Sequence, residues 1–578
     1  MTGTARWHQI LLWSLAAAVP LAFLAVFFAL PVTALALRGF APDGAIDLSG
    51  FAEVFSRDRT WRILRLTLLL GAAGTLLSVL LGVPGAYVFY RRTFRGQRVL
   101  RAFITVPFVL PTVVVGVAFR AVLASDGPLG FLGLDRTVPA IVLALVFFNY
   151  AVVVRTVGGM WERLDPRTEQ AARALGASPA RAFWSVTLPA LTPAIASAAA
   201  VVFLFCSTAF GVVLVLGGIE YGTIETEIWV QTTQFLDLRA AAVLSVLQLL
   251  VVTVALAVFS RARSRREAAL RLQGLTHRAR PLRLWQRRTD AEDVAPDRRG
   301  RPGRRGRPGP DLPATLITAA VVLGLLALPL ATLVVRSLRT PTGWGLGNYL
   351  ALGTTGGRNA LTVTVWEAAG NSLRVAVDAT VIAVVVGTLV ALVVSRRPRN
   401  RPARAAVSVL DTLFMLPLGV SAVTVGFGFL ITLNRPPLDL RSSMILIPIA
   451  QAVVAIPMVV RTVLPVLRAI DPRLRQTAAV LGASPGRVLA HIDGPYLVRS
   501  MGLAIGFAFA ISLGEFGATA FLARPDAPTL PVVIFRLIGR PGAENYGMAL
   551  AAAVLLALLT ATIMGVAERL RTERTGEF

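Results

Sequence analysis

The sequence predicts an all-α polytopic membrane protein: two tandem copies of a six-helix unit, about twelve transmembrane helices in all, around a pseudo-twofold axis along the membrane normal. Three observations carry that prediction. Of the 578 residues, 55% are apolar and only 15% charged, more apolar surface than a soluble fold can hide. Apolar runs of about 20 residues, enough to cross a hydrocarbon core, recur along the chain. A set of short motifs also returns at one constant offset.

The first run, Ile10 to about Leu37, is too long for the apolar part of a signal peptide and has no clear cleavage site, so it reads as the first span. Runs near 63–90, 99–123, 138–160, 191–216 and 240–259 complete a first set of six. A second set lies near 313–335, 372–395, 405–433, 443–464, 498–522 and 546–567. The loops "RRTFRGQRVLR", with Arg91, Arg92, Arg95, Arg98 and Arg101, and "SRRPRNRPAR" are laden with arginine, which places them on the cytoplasmic side. Six spans per half then leave both termini cytoplasmic.

Between the sets, residues 260–312 are rich in arginine, proline and glycine. Such a composition buries too little apolar surface to order itself. It reads as a cytoplasmic linker, able to touch anionic lipid, between a first half at 1–259 and a second at 313–578.

All 58 basic residues are arginine, and the formal net charge is +27. Because most arginines sit in short segments between apolar runs, the excess sets membrane orientation; membrane lipid, not nucleic acid, is the partner it implies. The single cysteine, Cys206, excludes a disulfide within the chain. His8, His277 and His491 are isolated, so no metal site and no Ser-His-Asp site is expected.

Leu175 and Leu481, 306 positions apart, open "LGASPAR" and "LGASPGR". The same shift pairs Leu110-Pro111 with Leu416-Pro417, "VVRTV" at Val153 with "VVRTV" at Val459, Asp165 with Asp471, and "AFG" at Ala209 with "EFG" at Glu515. Between Asp165–Pro189 and Asp471–Pro495, 12 of 25 residues are identical. Lipid-facing helices need only apolarity, so close repetition of a polar loop points to a shape that a partner reads. Constant orientation of the copies is the parallel repeat found in transporters, whose path lies where the repeats meet.

Within these loops, 161–190 and 465–497, Asp165-Pro166 is a helix start, with a capping carboxylate and proline at the first helical position. Gly176 suits the left-handed residue that stops a helix. Ser178-Pro179 starts a second short helix. Asp471-Pro472, Gly482 and Ser484-Pro485 repeat the punctuation. Both ends feed membrane spans, which excludes a DNA-reading helix-turn-helix.

The loop resembles the coupling motif of bacterial ATP-binding-cassette (ABC) importer permeases: E-A-A, three residues, G, nine residues, then I-x-L-P. The first copy supplies Gln170, Ala171, Ala172, Gly176, Leu188 and Pro189; the second supplies Gln476, Ala478, Gly482 and Pro495. Glutamine replaces the family's glutamate in both. The resemblance implies that these residues dock on two copies of a cytoplasmic ABC ATPase, which carry the ATP and Mg, and that an extracytoplasmic binding protein delivers substrate. It implies no cofactor and no metal on this chain. A Walker A loop needs a lysine, and the chain has none, so it is expected not to be an enzyme.

Fused two-by-six permeases resemble the thiamine and ferric-iron importers, and the stretches at Val146, Leu214 and Ser512 are most similar to thiamine permeases. The resemblance therefore implies uptake of a small solute, thiamine before ferric iron, across the bacterial cytoplasmic membrane. Asn149, Tyr150 and Glu515 are candidate path residues. A thiamine cation would suit aromatic and carboxylate surroundings, such as Phe147, Phe148 and an outer segment with Glu220, Glu225 and Glu227. Intramembrane charge is costly, so Arg120, Asp378 and Asp411 are further candidates for pairing or path-lining roles. A secondary transporter of the major-facilitator type has the same two-by-six plan, but it needs no coupling loop.

Overall fold

The computed structural model describes the chain except residues 1–15, 42–44, 219, 268–279, 283–284, 287–306, 397–400, 435–438, 441–442 and 573–578. His8, His277, the start of the first expected span and most of 260–312 therefore lie outside the described residues.

Ten described helices are long and apolar enough to cross a membrane. In the first half they are Ala16–Phe40 (span 1), Asp58–Arg91 (span 2), Val138–Arg163 (span 4), Pro179–Ser207 (span 5) and Leu238–Phe259 (span 6). In the second they are Leu312–Ser337 (span 7), Val365–Val394 (span 8), Leu446–Ala469 (span 10), Pro485–Gly514 (span 11) and Ala543–Ala567 (span 12). The runs expected as continuous spans 3 and 9 are broken. Gln97–Val109 and Thr112–Leu123 meet at 106°, and Arg401–Met415 is separated from Ala422–Thr432 by a short 3-10 turn. Both breaks fall at the duplicated Leu-Pro pairs, where proline lacks the N–H that would continue the helix.

The 306-residue shift maps span on span. Pro166–Ala174 becomes Pro472–Val480, and Ile224–Thr233 becomes Leu530–Ile538. Span 2 packs on span 4 and span 8 on span 10, through two close glycine contacts. A Cβ on Gly82 would stand 2.6 Å from Val153, and one on Gly387 would stand 2.8 Å from Val459. The expected runs 191–216 and 498–522 end early, at Ser207 and Gly514. Short helices follow, Gly211–Gly217 and Ile224–Thr233 in one half, Thr519–Leu522 and Leu530–Ile538 in the other. Thr67 of span 2 accepts the Ile224 N–H at 3.0 Å, and Ser372 of span 8 accepts the Leu530 N–H at 2.7 Å. Such hydroxyls satisfy helix-start amides that lipid cannot.

Span 1 packs on Ala422–Thr432 of the second half as well as on span 6 of its own, and span 7 packs on Thr112–Leu123 and span 2 as well as on span 12. Each half thus holds the other's first helix. The apolar interior is divided accordingly. At the end away from the repeated hairpins, one core joins both halves, from Val113 and Leu244 to Phe427 and Leu550. At the hairpin end there are two separate cores, one built on spans 2 and 4 with span 7, the other on spans 8 and 10 with span 1.

Candidate functional site

The two polar loops fold as the expected hairpins. Asp165 accepts from the Arg167 N–H and Asp471 from the Arg473 N–H, both at 2.9 Å; Ser178 and Ser484 accept from the Arg181 and Arg487 N–H groups at 3.3 and 3.4 Å. Gly176 and Gly482 have φ of +88° and +84°, the left-handed region open to glycine. Each first helix ends in a Schellman motif. The Gly176 and Ala177 amides bond the Arg173 and Ala172 carbonyls at 3.0 Å, and the Gly482 and Ala483 amides bond the Ala479 and Ala478 carbonyls at 3.1 and 2.9 Å. The turn presents Leu175 and Leu481, 88% and 81% exposed, beside exposed Gln170, Ala171, Gln476, Pro189 and Pro495. Ala172, Leu188 and Ala478 are half-buried behind them.

Beneath the turns the hairpins differ. Asp493, fully buried, bonds Arg396, just past the end of span 8, and Arg475 of the hairpin, each at 2.7 Å. The matching residues in the first half are Thr187, Tyr90 and Glu169. There the hairpin stands over a cavity of about 790 Å³, lined by Tyr87, Tyr90, Trp161, Glu169, Gln170 and Phe183. This asymmetry is hidden at the level of motif, because Asp493 lies where the motif's leucine-proline end has diverged.

On the pseudo-twofold axis, Phe210 and its duplicate Phe516 stack with centroids 5.4 Å apart at 22°. Trp229 and its duplicate Phe535 meet edge-on at 6.0 Å, and each also touches the phenylalanine of its own half. The four rings belong to the shared core. Against Phe210 and Phe516 lies a cavity of about 330 Å³ between the halves, lined also by Phe148, Asn149, Ser421 and Glu515, and by both helix breaks at Leu110–Thr112 and Pro417–Val423. Irregular backbone at membrane depth is tolerated where it lines such a cavity.

Of the path residues expected from sequence, two reach this cavity. Asn149 donates to the Leu145 carbonyl at 2.8 Å, and its Oδ1 is buried without a hydrogen-bond partner among the described residues. Glu515 lines the wall while accepting from the Ala518 and Thr519 amides at 2.7 and 3.0 Å and from the Thr519 hydroxyl at 2.6 Å. Tyr150 does not reach it. Its hydroxyl points at span 2, where a Cβ on Gly85 would lie 2.2 Å away. Neighbours on a helix are about 100° apart, so Asn149 and Tyr150 cannot both face the axis.

The other charged candidates part from the path. Asp378 is exposed on span 8, between Val377 and Val381, themselves 50% and 57% exposed. Asp411 pairs with Arg468 at 3.1 Å. Glu227 pairs with Arg59 at 2.8 Å, and Glu220 lines a groove on the outside of the first half. Glu225, expected at the mouth, is instead fully buried between the halves, bonded by the Ser421 hydroxyl at 2.5 Å. Ser421 sits in the break of span 9, which apolar length alone cannot reveal. At the end away from the hairpins, Asp47 is held down to about 2, chiefly by the Ser49 hydroxyl and amide and then by Arg239.

Residues 74–266 match the family described as "Binding-protein-dependent transport system inner membrane component". A thiamine transport system permease protein of Brucella abortus (strain 2308) is 26% identical over 574 residues, covering 97% of this chain and 96% of that protein. That of Escherichia coli (strain K12) is 28% identical over 526 residues, 89% of this chain and 90% of that protein. A molybdenum transport system permease protein of Mycobacterium tuberculosis (strain ATCC 25618 / H37Rv) is 35% identical over 245 residues, 40% of this chain and 88% of that protein. With its duplicated helical unit and these matches, the chain belongs to the binding-protein-dependent transport system inner membrane component family, as a multi-pass permease subunit of an ABC importer.

Proposed function

We propose that the chain carries thiamine into the cytoplasm by ATPase-coupled alternating access, its halves at 1–259 and 313–578 each docking one copy of an ABC ATPase through a hairpin. The observation that carries this reading is the cavity on the pseudo-twofold axis, capped by the aromatic quartet at the fused core and flanked by separate cores at the hairpin end. In this reading the hairpins and both termini are cytoplasmic and the structure is closed to the outside. ATP and Mg²⁺ belong to the partner ATPase, and an extracytoplasmic binding protein hands substrate to the far face. Gln170, Ala171, Ala172, Gly176, Leu188 and Pro189, with Gln476, Ala478, Gly482 and Pro495, form the docking elements. The extension of both thiamine permeases over at least 89% of this chain supports the cargo. A cation is suited by the rings of Phe148, Phe210 and Phe516 and by the carboxylate of Glu515.

The test is uptake of labelled thiamine into proteoliposomes holding the permease and its ATPase, with the loaded binding protein outside. ATP-dependent uptake that unlabelled thiamine abolishes and ferric ion leaves unchanged is expected. Uptake driven by a proton or sodium gradient without ATP would overturn the mechanism, and competition by ferric ion alone would overturn the cargo.

Glu515→Gln removes the negative charge while keeping one carbonyl acceptor for the 518–519 amides. Thiamine uptake should fall about three- to tenfold, as expected for one charge at a partly screened site. Unchanged uptake would remove Glu515 from the path.

A further inference from the structure

Arginine is crowded where orientation disfavours it. At the end of span 2 away from the hairpins stand Arg57, Arg59, Arg62 and Arg65, extracytoplasmic in the reading above and so against the usual bias. Two are matched by acids: Arg57 by Glu53 and by Asp237 at 3.6 Å, Arg59 by Glu227 at 2.8 Å. Arg62 and Arg65 form no ion pair among the described residues; Arg65 Nε donates to the Trp61 carbonyl at 3.3 Å.

Both line a groove of about 520 Å³ on the outside of the first half, closed by Val138 of span 4 and by Glu220 and Tyr221. Arg62, Arg65, Leu66 and Leu69 follow one another on a single helical face, charged at the membrane edge and apolar one turn deeper. The surface below is lipid-facing: Leu69, Leu76 and Leu80 are 50%, 62% and 59% exposed. Trp61, 46% exposed at the same height as the arginines, is an aromatic of the type that marks the headgroup level. In the second half, the positions 306 residues on are Ala368 and Asn371. The charge is therefore not part of the duplicated transport machinery.

We propose that this groove binds the headgroup of an anionic phospholipid of the extracytoplasmic leaflet. The phosphodiester sits between the Arg62 and Arg65 guanidinium groups, and Glu220 accepts from a glycerol headgroup hydroxyl. An acyl chain runs down Leu66 and Leu69. Guanidinium groups suit this task because their fork of donors matches phosphate oxygens. Only the leaflet rests on the functional reading; the site itself does not.

The test is native mass spectrometry of the full chain in detergent, titrated with phosphatidylglycerol. One tightly held lipid per chain is expected, with affinity reduced about tenfold in R62Q/R65Q and largely kept in R62K/R65K. Phosphatidylcholine should not replace it, and millimolar inorganic phosphate should not displace it. Equal phosphatidylglycerol affinity in wild type and R62Q/R65Q would overturn the site. Displacement by phosphate would overturn the lipid in favour of a soluble anion. Unchanged lipid binding with lost ATPase stimulation by the loaded binding protein would make the groove a protein-docking surface instead. The lipid titration involves no transport, so its outcome is independent of whether thiamine is the cargo.

Discussion

Replacing Gly176 and Gly482 together by valine should reduce ATP-driven uptake to background, at least tenfold, while the protein still inserts at its normal level. Each glycine holds a φ near +85°, where an L-residue costs about 1–2 kcal/mol and a β-branched one more. A Cβ at either position would meet nothing within 4 Å, so the cost is backbone strain alone, and the Schellman motif would yield before the membrane spans do. Leu175 and Leu481 would then no longer be presented at the turn. The check is uptake and ATPase activity in the same vesicles: hydrolysis should persist while uptake is lost. The double asparagine variant should retain most uptake, since asparagine tolerates the left-handed region. Normal uptake by the valine variant would overturn the docking role proposed for the hairpins.

Asp493→Ala is expected to destabilise the second half by about 3 kcal/mol, the lower end of the cost of breaking a buried ion pair. Its two arginines, 26% and 17% exposed, would each lose the carboxylate they share. The partial access of water keeps the figure from rising further. The equivalent Thr187→Ala should cost less than about 1 kcal/mol, the scale of one ordinary hydrogen bond. Thermal unfolding in detergent compares the two. Limited trypsin digestion should also cut the second hairpin of Asp493→Ala, at Arg473 or Arg475, faster than the same hairpin in wild type. Equal melting of the two variants would refute the difference between the hairpins.

Much of this architecture is legible in the residue order, because bilayer thickness and turn chemistry act locally. Asp-Pro, glycine and Ser-Pro at fixed spacing dictate a capped hairpin whatever surrounds it, and both copies form it residue for residue. Apolar length marks where the chain crosses but not where it breaks. Spans 3 and 9 looked continuous because a Leu-Pro pair is as apolar as its neighbours. The path was harder to read. A helix presents one face to the axis, and hydropathy does not say which: Asn149 lines the cavity between the halves, while its neighbour Tyr150 faces span 2. Glu225 misled for a related reason: a charge between glycine-rich turns looks like an outer loop until the short helix carrying it is seen to fold back between the halves.

The two broken spans have a consequence for how this cavity is probed. Leu110, Thr112, Pro417 and Val420–Val423 bring the two helix breaks to the cavity wall, and the peptide carbonyls at a break lie outside the regular helix ladder whatever side chain a mutation installs. Side-chain scanning alone therefore samples an incomplete set of the cavity's polar atoms. Changing the backbone itself, by ester replacement of individual amides or by moving the proline one position, would reach the rest.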